Sequence, residues 1–316
     1  MKYIIKRFFE SLVTVLLIVT MVFLLMRLLP PEKYFDDDEL RVLSNEQVQT
    51  ILEANGLLDP PLTQLVRYYK QLFIDHDFGN SRKIKVDVPV VEVIGNRFGV
   101  SMAYGVCGLI LSLIIGVSYG VIQARHKDRF LDHLGMVYTV IANAVPGLVF
   151  FTLIMIFGAR VLNLPSLYSP NKLILSSIMP VICLSISGIA SRMLWVRRYM
   201  VDELNKDYIK LATAKGLSQH KIFTRHIFRN AFVPLSTGLA SAFLSTISGS
   251  LLVESFFSIP GMGYLLTEAV ALFDYNVVQT LVILYGFLGV MGVFLGDITL
   301  MIVDPRVRLG KKEATR

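Results

Sequence analysis

The stretch that decides the fold is "YIKLATAKGLSQHKIFTRHIFRNAFVP", residues 208–234, which contains no acidic residue and lies between two long apolar stretches. Gly216 favours the left-handed backbone that ends a helix, and Ser218 is suited to cap the next helix. The sequence therefore predicts a short amphipathic helix over 202–216, a sharp turn, and a second helix leading to Pro234. The basic residues of the stretch are Lys210, Lys215, Lys221, Arg225 and Arg229.

The composition around this hairpin is that of a membrane protein. The chain has 316 residues, of which 54% are hydrophobic, and its mean hydropathy is +0.59. Soluble domains seldom have such a composition, whereas proteins that cross a membrane several times usually do. Cys107 and Cys183 lie far apart in apolar runs, so we expect two buried thiols and neither a disulfide nor a metal site.

Six apolar stretches are long enough to span a bilayer, which takes about 20 residues in a helix. We therefore predict an all-α, polytopic protein with six transmembrane helices. The predicted spans are Phe8–Leu29, Phe98–Ala124, Met136–Val161, Ile174–Val196, Val233–Phe257 and Val277–Val303.

The distribution of charge predicts the orientation. An even number of spans places the N-terminus, the 125–132 loop, the 192–232 loop and the C-terminal tail on one face. That face holds 20 of the 31 basic residues and has a net charge of +11, against −4 on the other face. Basic loops stay on the cytosolic side of a membrane, so both termini are predicted to be cytosolic.

The predicted domains follow from these spans. Residues 1–29 form an N-terminal transmembrane helix that is expected to be retained, and 30–97 form a small extracytosolic helical segment. Residues 98–304 form a five-helix core with a cytosolic loop at 200–232, and 305–316 form a cytosolic tail. In the outer segment, Ser44 and Gln47 predict a helix-capping box. The acidic run Asp36 to Glu39 indicates a solvated loop or, alternatively, a cation site.

Several spans carry proline or small residues. Pro146-Gly147 in span three and Pro180 in span four predict a kink or local unwinding. Span five is unusually polar, and its small residues either permit close helix packing or line a polar path. The serines proposed for such a path are Ser241, Ser245 and Ser248. Glycines at 286, 289, 292 and 296 share one face of span six, and we interpret that face as a packing surface.

Common catalytic motifs are missing from the sequence. It contains no Walker A motif, no GxSxG elbow, no HExxH motif and no Cys-His arrangement. No catalytic residue, metal ligand or cofactor of its own is therefore predicted. Ionisable residues inside the spans are few, with Asp297 the main candidate, which argues against an ion-coupled carrier.

Two hypotheses remain for the basic hairpin. It lies on anionic lipid as an amphipathic surface helix, or it docks against a soluble partner. Lipid binding accounts for the basic residues but not for the Gly-Leu-Ser break at 216–218.

The whole hairpin, "DELNKDYIKLATAKGLSQHKIFTRHIFRNAFVP", resembles the coupling loop of bacterial ABC importer membrane subunits. The resemblance is strongest to the oligopeptide/dipeptide permease family. "YIIKRFFESLVTVLLIVTMVFLLMRLLP", "GLLDPPLTQLVRYYKQLFIDHDFGNS", "SFFSIPGMGYLL" and "DPRVRLG" resemble other parts of that family, in the expected order along the chain. Two departures are Lys210-Leu211-Ala212 at the start of the loop motif, and Pro30-Pro31-Glu32-Lys33 after span one.

The resemblance implies a non-enzymatic subunit that forms half of a peptide import pathway in the bacterial cell membrane. It also implies a second homologous permease, two cytosolic ATPases that carry ATP and magnesium, and an extracytosolic binding protein; no nucleic acid is expected. The implied ATPase-coupling residues are Tyr208, Leu211, Ala212, Ala214, Lys215, Gly216 and Leu217. The implied outer-gate residues are Ile259, Pro260, Gly261 and Gly263.

Other functions stay open from the sequence. Related permeases import glutathione or nickel, although no His, Cys or Asp cluster in the spans favours a metal. A membrane scaffold and an ion-coupled carrier are the alternatives from other classes, and kinked spans, polar span five and charge-poor spans count against them.

Overall fold

The computed structural model describes residues 2–35, 37–247 and 250–303. The described residues are 79% helical and form no strand, only an isolated bridge between Asn80 and Pro89. The all-α prediction is therefore confirmed. In the acidic run, the structure does not describe Asp36 or the side chains of 37–39. The predicted C-terminal tail also lies outside the described residues, which end at 303.

The helices follow one another along the chain, and the connections are longest between α4 and α5 and between α7 and α8. The first half of the chain forms α1 (Lys2–Met26), α2 (Asp37–Val42), α3 (Asn45–Ala54), α4 (Pro61–Phe73), α5 (Val90–Arg125), α6 (Phe130–Ala144) and α7 (Gly147–Val161). The second half forms α8 (Leu173–Leu204), α9 (Asp207–Ala214), α10 (Gln219–Lys221), a π-helix (Ile222–Phe228), α11 (Arg229–Ile247), α12 (Leu251–Phe256), α13 (Met262–Ala271) and α14 (Tyr275–Val303).

Four of the described helices are long and apolar enough to span a membrane: the segments within α1, α5, α8 and α14. The number is five if α6 and α7, which meet at 108°, count as one broken span. The predicted break at Pro146-Gly147 is confirmed, because the chain turns sharply between these two helices. Pro180 differs: it lies inside α8, which continues through it without interruption.

The predicted fifth span divides into α11, of 19 residues, and the short helix α12, and it is not among these candidate spans. The other spans match their helices with shifted ends. In particular, α5 begins at Val90 and not at Phe98. Its 36 residues correspond to a length of about 54 Å at 1.5 Å per residue, which exceeds a bilayer core of about 30 Å.

The described residues form two compact units, the first comprising Met1–Val100 with Pro260–Val290. In this unit α4 packs on α1, where the Tyr68 ring stacks on Phe23 at 5.0 Å and the Tyr69 hydroxyl lies 2.6 Å from Thr20 Oγ1. The capping box of α3 is confirmed, with Ser44 Oγ accepting from the backbone of Gln47. An apolar cluster joins the start of α5 to α13 and α14.

The second unit contains the described residues of Ser101–Ile259 and Met291–Arg316. Its α5 and α8 approach closely at two glycines: a Cβ on Gly116 would lie 2.9 Å from the backbone oxygen of Ile189, and one on Gly120 would lie 3.1 Å from that of Met193. A glycine at every fourth position lets helix backbones approach in this way. Cys183 is buried in α8 as expected, whereas Cys107 is exposed.

The glycine face predicted on span six is only partly a packing surface. Gly286 lies near Ile18 of α1, and Gly292 and Gly296 are buried. At Gly289, however, an added Cβ would meet nothing within 4 Å, so this position is open within the chain.

Candidate functional site: the interfacial hairpin and the outer turn

The hairpin 202–234 is built around α9, an eight-residue helix over Asp207–Ala214. The predicted single helix over 202–216 is wrong, because α8 continues to Leu204 and the chain breaks at Asn205-Lys206 before α9 begins. The break lets α9 lie at a different angle from α8.

One side of α9 is packed against its own chain. Ile209 and Ala212, three residues apart on a helix, are both buried in an apolar cluster that we call the inner cluster. The inner cluster draws on α5, α8, α9, the π-helix and α11. Its buried members are Ala124, Val196, Met200, Ile209, Ala212, Ile222, Ile227 and Ala231.

This burial corrects the expectation for Ala212, which was predicted to lie on the face that meets a partner. Its side chain instead faces the inner cluster and is 7% exposed. The residues that α9 and its C-terminus present to solvent are Asp207, Lys210, Leu211, Thr213, Ala214, Lys215 and Gly216. Among them Leu211 is a large apolar side chain that is 57% exposed.

The turn after α9 is a Schellman motif. Gly216 adopts φ +74°, its N–H donates to the Thr213 carbonyl at 3.0 Å, and the N–H of Leu217 donates to the Ala212 carbonyl at 3.3 Å. The prediction of a left-handed glycine here is confirmed. Ser218 then caps the next helix, as predicted, by accepting from the N–H of Lys221.

A polar network fixes α9 to the helices on either side of it. The Tyr208 hydroxyl donates to the Glu203 carboxylate at the end of α8 and accepts from Asn230 Nδ2 of α11 at 2.8 Å. Partial burial, followed by the adjacent Glu203 carboxylate, raises the pKa of Tyr208, so its hydroxyl keeps its proton at neutral pH. Tyr208 therefore links α9 to the end of α8 and to α11.

The second arm of the hairpin begins with the π-helix Ile222–Phe228 and continues into α11. Ile222 and Ile227 are fully buried in the inner cluster, while the Arg125 guanidinium at the end of α5 lies 5.3 Å from the centre of the Phe223 ring. π-helical turns are rare and are often found at functional sites. The wider turn lets both isoleucines, five residues apart, face the same cluster.

A buried ion pair joins α6 to α8. Arg197 Nε and Nη2 donate to the two carboxylate oxygens of Asp132 at 2.5 and 2.7 Å, and the N–H of Asp128 donates to the same carboxylate at 2.9 Å. The Asp132 side chain is fully buried and that of Arg197 is 21% exposed. The sequence analysis missed this pair, whose members are 65 positions apart, although an Asp and an Arg in a charge-poor sequence were a signal.

The predicted outer gate contains residues from both units. In the second unit, Ser250 caps α12 and the Glu254 carboxylate accepts from the N–H of Ser250 at 3.2 Å. The chain then turns at Ser258, with φ +54°, and buries Ile259 completely.

In the first unit, Gly261 caps α13 with an extended backbone, and both Gly261 and Gly263 are buried while Pro260 is half-buried. The role of these residues as an outer gate stays a prediction. A direct contact between substrate and the buried Ile259, Gly261 or Gly263 is not supported.

The serines proposed for a polar path are not described in detail. Ser241 and Ser245 lie in α11, but their side chains are outside the described part of the structure, and Ser248 lies wholly outside it. Close packing is seen nearby, because a Cβ on Gly105 would lie 2.3 Å from the Thr246 carbonyl oxygen.

Asp274, between α13 and α14, organises the first unit and was also missed. One of its carboxylate oxygens accepts from Ser81 Oγ at 2.7 Å and from the backbone N–H groups of 82, 83 and 84. The side chain is buried, and its partners lie some 190 positions earlier in the chain.

Together, the apolar helices define a multi-pass membrane protein, and α9 is a short helix with one buried and one exposed side. A model of the family described as binding-protein-dependent transport system inner membrane component matches residues 108–309, which include all of the hairpin. The chain belongs to this family.

Full-length relatives agree with the family match. The chain is 34% identical to the dipeptide transport system permease protein DppB of Bacillus subtilis over 98% of this chain and 99% of that protein. It is 35% identical to DppB of Lactococcus lactis, again over 98% and 99%. It is 32% identical to the oligopeptide transport system permease protein OppB of Haemophilus influenzae, with the same coverage.

Proposed function

We propose that this chain is the transmembrane subunit of an ATP-binding-cassette importer that forms half of a pathway for peptide uptake. The full-length relatives are named as peptide transport permeases, which supports a dipeptide or oligopeptide as the cargo. The second half of the pathway comes from a homologous permease, and two cytosolic ATPases supply the energy. An extracytosolic binding protein delivers the peptide.

The observation that carries this proposal is the two-sided nature of α9. Leu211 is exposed on one side, while Ile209 and Ala212 on the other are packed beneath α8 and α11. An ATPase that binds the exposed side of α9 and changes conformation when it binds ATP therefore displaces a helix that is already packed on the membrane helices. ATP and magnesium are bound by the partner ATPases, and alternating access follows from this coupled movement.

The proposed topology has six spans and places both termini in the cytosol. The broken pair α6 and α7 forms span three and α11 forms span five, with α12 and α13 on the outer side. The basic hairpin then faces the cytosol, α2 and α3 lie outside, and α4 packs against the outer half of α1. The excess of basic residues on the hairpin side supports this orientation.

The docking role is tested by Leu211→Asp. A carboxylate at an exposed position does not disturb the inner cluster, but it places an unpaired charge in the apolar contact with the ATPase. We expect the variant to insert in the membrane at the wild-type level and to lose co-purification of the ATPases and peptide uptake. Leu58→Asp is the matched control, because Leu58 is similarly exposed, at 47%, on the opposite proposed face.

If Leu211→Asp retains the ATPases and transports peptide normally, the docking proposal is wrong. The lipid alternative is checked in parallel with Lys215→Glu, since Lys215 is exposed. Weakened binding of the hairpin to anionic vesicles, with unchanged ATPase association, would favour the lipid hypothesis.

Topology is tested independently of transport. A reporter fused after Arg316 is expected to be active only in the cytosol, and a single cysteine placed at Leu58 should react with an impermeant label from outside. A C-terminus accessible from outside contradicts the six-span arrangement.

A further inference from the structure

Arg192 lies in the C-terminal half of α8, at the start of the loop 192–232, and its guanidinium has no ion-pair partner among the described residues. Its Nη1 donates to the Gly188 carbonyl at 3.1 Å, and its buried Nε has no hydrogen-bond partner among those residues. Buried donors are nearly always satisfied, so a buried Nε without a described partner indicates that a ligand can bind there.

Two glycines make room for this side chain. A Cβ on Gly116 of α5 would lie 2.8 Å from Arg192 Cβ, and one on Gly188 would lie 3.0 Å from its Nη1. The glycines therefore let the arginine stem pass between α5 and α8. The guanidinium lies at the wall of a cavity, where its Nη1 is bonded to the Gly188 carbonyl.

The cavity has a volume of about 320 Å³ and lies between α5, α8 and α11 in the second unit. Its wall includes the aromatic side chains of Trp195, Tyr199 and Phe232, with Trp195 and Tyr199 stacked at 5.5 Å. Arg192 is the one charged residue in the described lining. Gly238 of α11 adds open space, because a Cβ there would meet nothing within 4 Å.

We propose that this cavity binds the free C-terminal carboxylate of a peptide in transit. A guanidinium offers a fork of donors that matches a carboxylate, and the aromatic wall can cover the adjoining side chain of the peptide. No acid in the described lining competes for the arginine. The inference rests on the proposed function, since it names the group by which the peptide would be held.

Binding can be measured on the full-length chain without any other subunit. Trp195 is the only tryptophan of the protein and lines the cavity, so its emission reports on occupancy. We titrate the purified chain in detergent with a tripeptide free acid, with the same tripeptide as its C-terminal amide, and with inorganic phosphate. The acid is expected to shift the emission at concentrations at which the amide and phosphate do not.

Arg192→Gln is expected to weaken the response to the acid about tenfold to a hundredfold, the loss that follows from removing charged hydrogen bonds. Arg160→Gln is the matched control, because Arg160 is exposed in α7 and does not line the cavity. This control should respond as the wild type does. Equal responses to acid and amide, or an unchanged response in Arg192→Gln, overturn the proposal; an equal response to phosphate shows a general anion site and also overturns it.

Transport provides the second readout and separates this inference from the proposed function. In proteoliposomes with all partner subunits, uptake of the tripeptide acid is divided by uptake of its amide, for the wild type and for Arg192→Gln. Dividing the variant's ratio by the wild-type ratio cancels any preference of the binding protein. A ratio reduced at least tenfold supports the proposal. Wild-type peptide uptake with no change in this ratio overturns the inference but leaves the proposed function intact, whereas no wild-type peptide uptake contradicts the proposed function itself.

A cavity-filling variant covers the case in which Arg192→Gln fails to fold. Gly238→Leu adds a side chain where the structure has open space, so helix packing should be preserved. Loss of the Trp195 response to the acid in this variant, at a wild-type yield, supports binding in the cavity. A retained response of wild-type strength places the peptide elsewhere and refutes the proposal.

Discussion

Removing Arg197 should destabilise the protein strongly, because it leaves a buried charge without its counterion. The Asp132 carboxylate is fully buried and receives both nitrogen donors of the guanidinium, at 2.5 and 2.7 Å. In Arg197→Met the remaining donors to Asp132 are the Asp128 N–H and the more distant amide of Gln123, at 3.4 Å. Breaking one side of a buried pair costs about 3–5 kcal/mol.

That cost lowers the ratio of folded to unfolded protein by about two to four powers of ten. The double variant Asp132→Leu/Arg197→Met removes both charges and should recover most of the loss, since apolar replacements of buried pairs are often close to neutral. In a double-mutant cycle, the free-energy change of the double variant is compared with the sum of the two single changes. The difference measures the coupling between the two residues.

The assay is denaturant unfolding of the purified chain in detergent, followed by the emission of Trp195, which lies two residues from Arg197 on α8. ATPase co-purification is measured alongside, because Val196, adjacent to Arg197, packs in the inner cluster beneath α9. A single variant within about 1 kcal/mol of the wild type, the range typical of exposed ion pairs, would refute the reasoning. A double variant as unstable as the single one would equally contradict it.

Three further changes probe the backbone and the first unit. Gly216→Val forces a branched residue into φ +74° and should cost about 1–3 kcal/mol, seen as weaker ATPase association, whereas Gly216→Asn should be milder. Gly116→Leu should lower the yield of folded protein, because a Cβ at this position lies 2.9 Å from the backbone of α8. Gly99→Leu should leave the yield unchanged, because a Cβ there meets no atom within 4 Å. Asp274→Ala leaves Ser81 Oγ and three backbone N–H groups without their acceptor, so limited proteolysis should cut 79–89 faster than in Ser81→Ala.

Local features of the hairpin could be predicted because they depend on neighbouring residues. Only glycine adopts the left-handed region readily, so Gly216 indicated the end of a helix, and Ser218 indicated the start of another. The extent of α9 could not be predicted in this way. The break at 205–206 and the inward orientation of Ala212 depend on contacts with Val196 and Ile227, which are distant in sequence.

By itself the sequence determined that this is an all-helical membrane protein, where most of its spans lie, and that the chain breaks at Pro146-Gly147. Hydropathy and backbone preference act over a single helix or turn, so no distant contact is needed to predict them. Only the tertiary structure decided which side of α9 is exposed, that Asp132 pairs with Arg197, and that Arg192 lines a cavity without an ion-pair partner among the described residues. These outcomes depend on which helices meet, because a charge in an apolar environment is stable only with the partner that the fold brings to it.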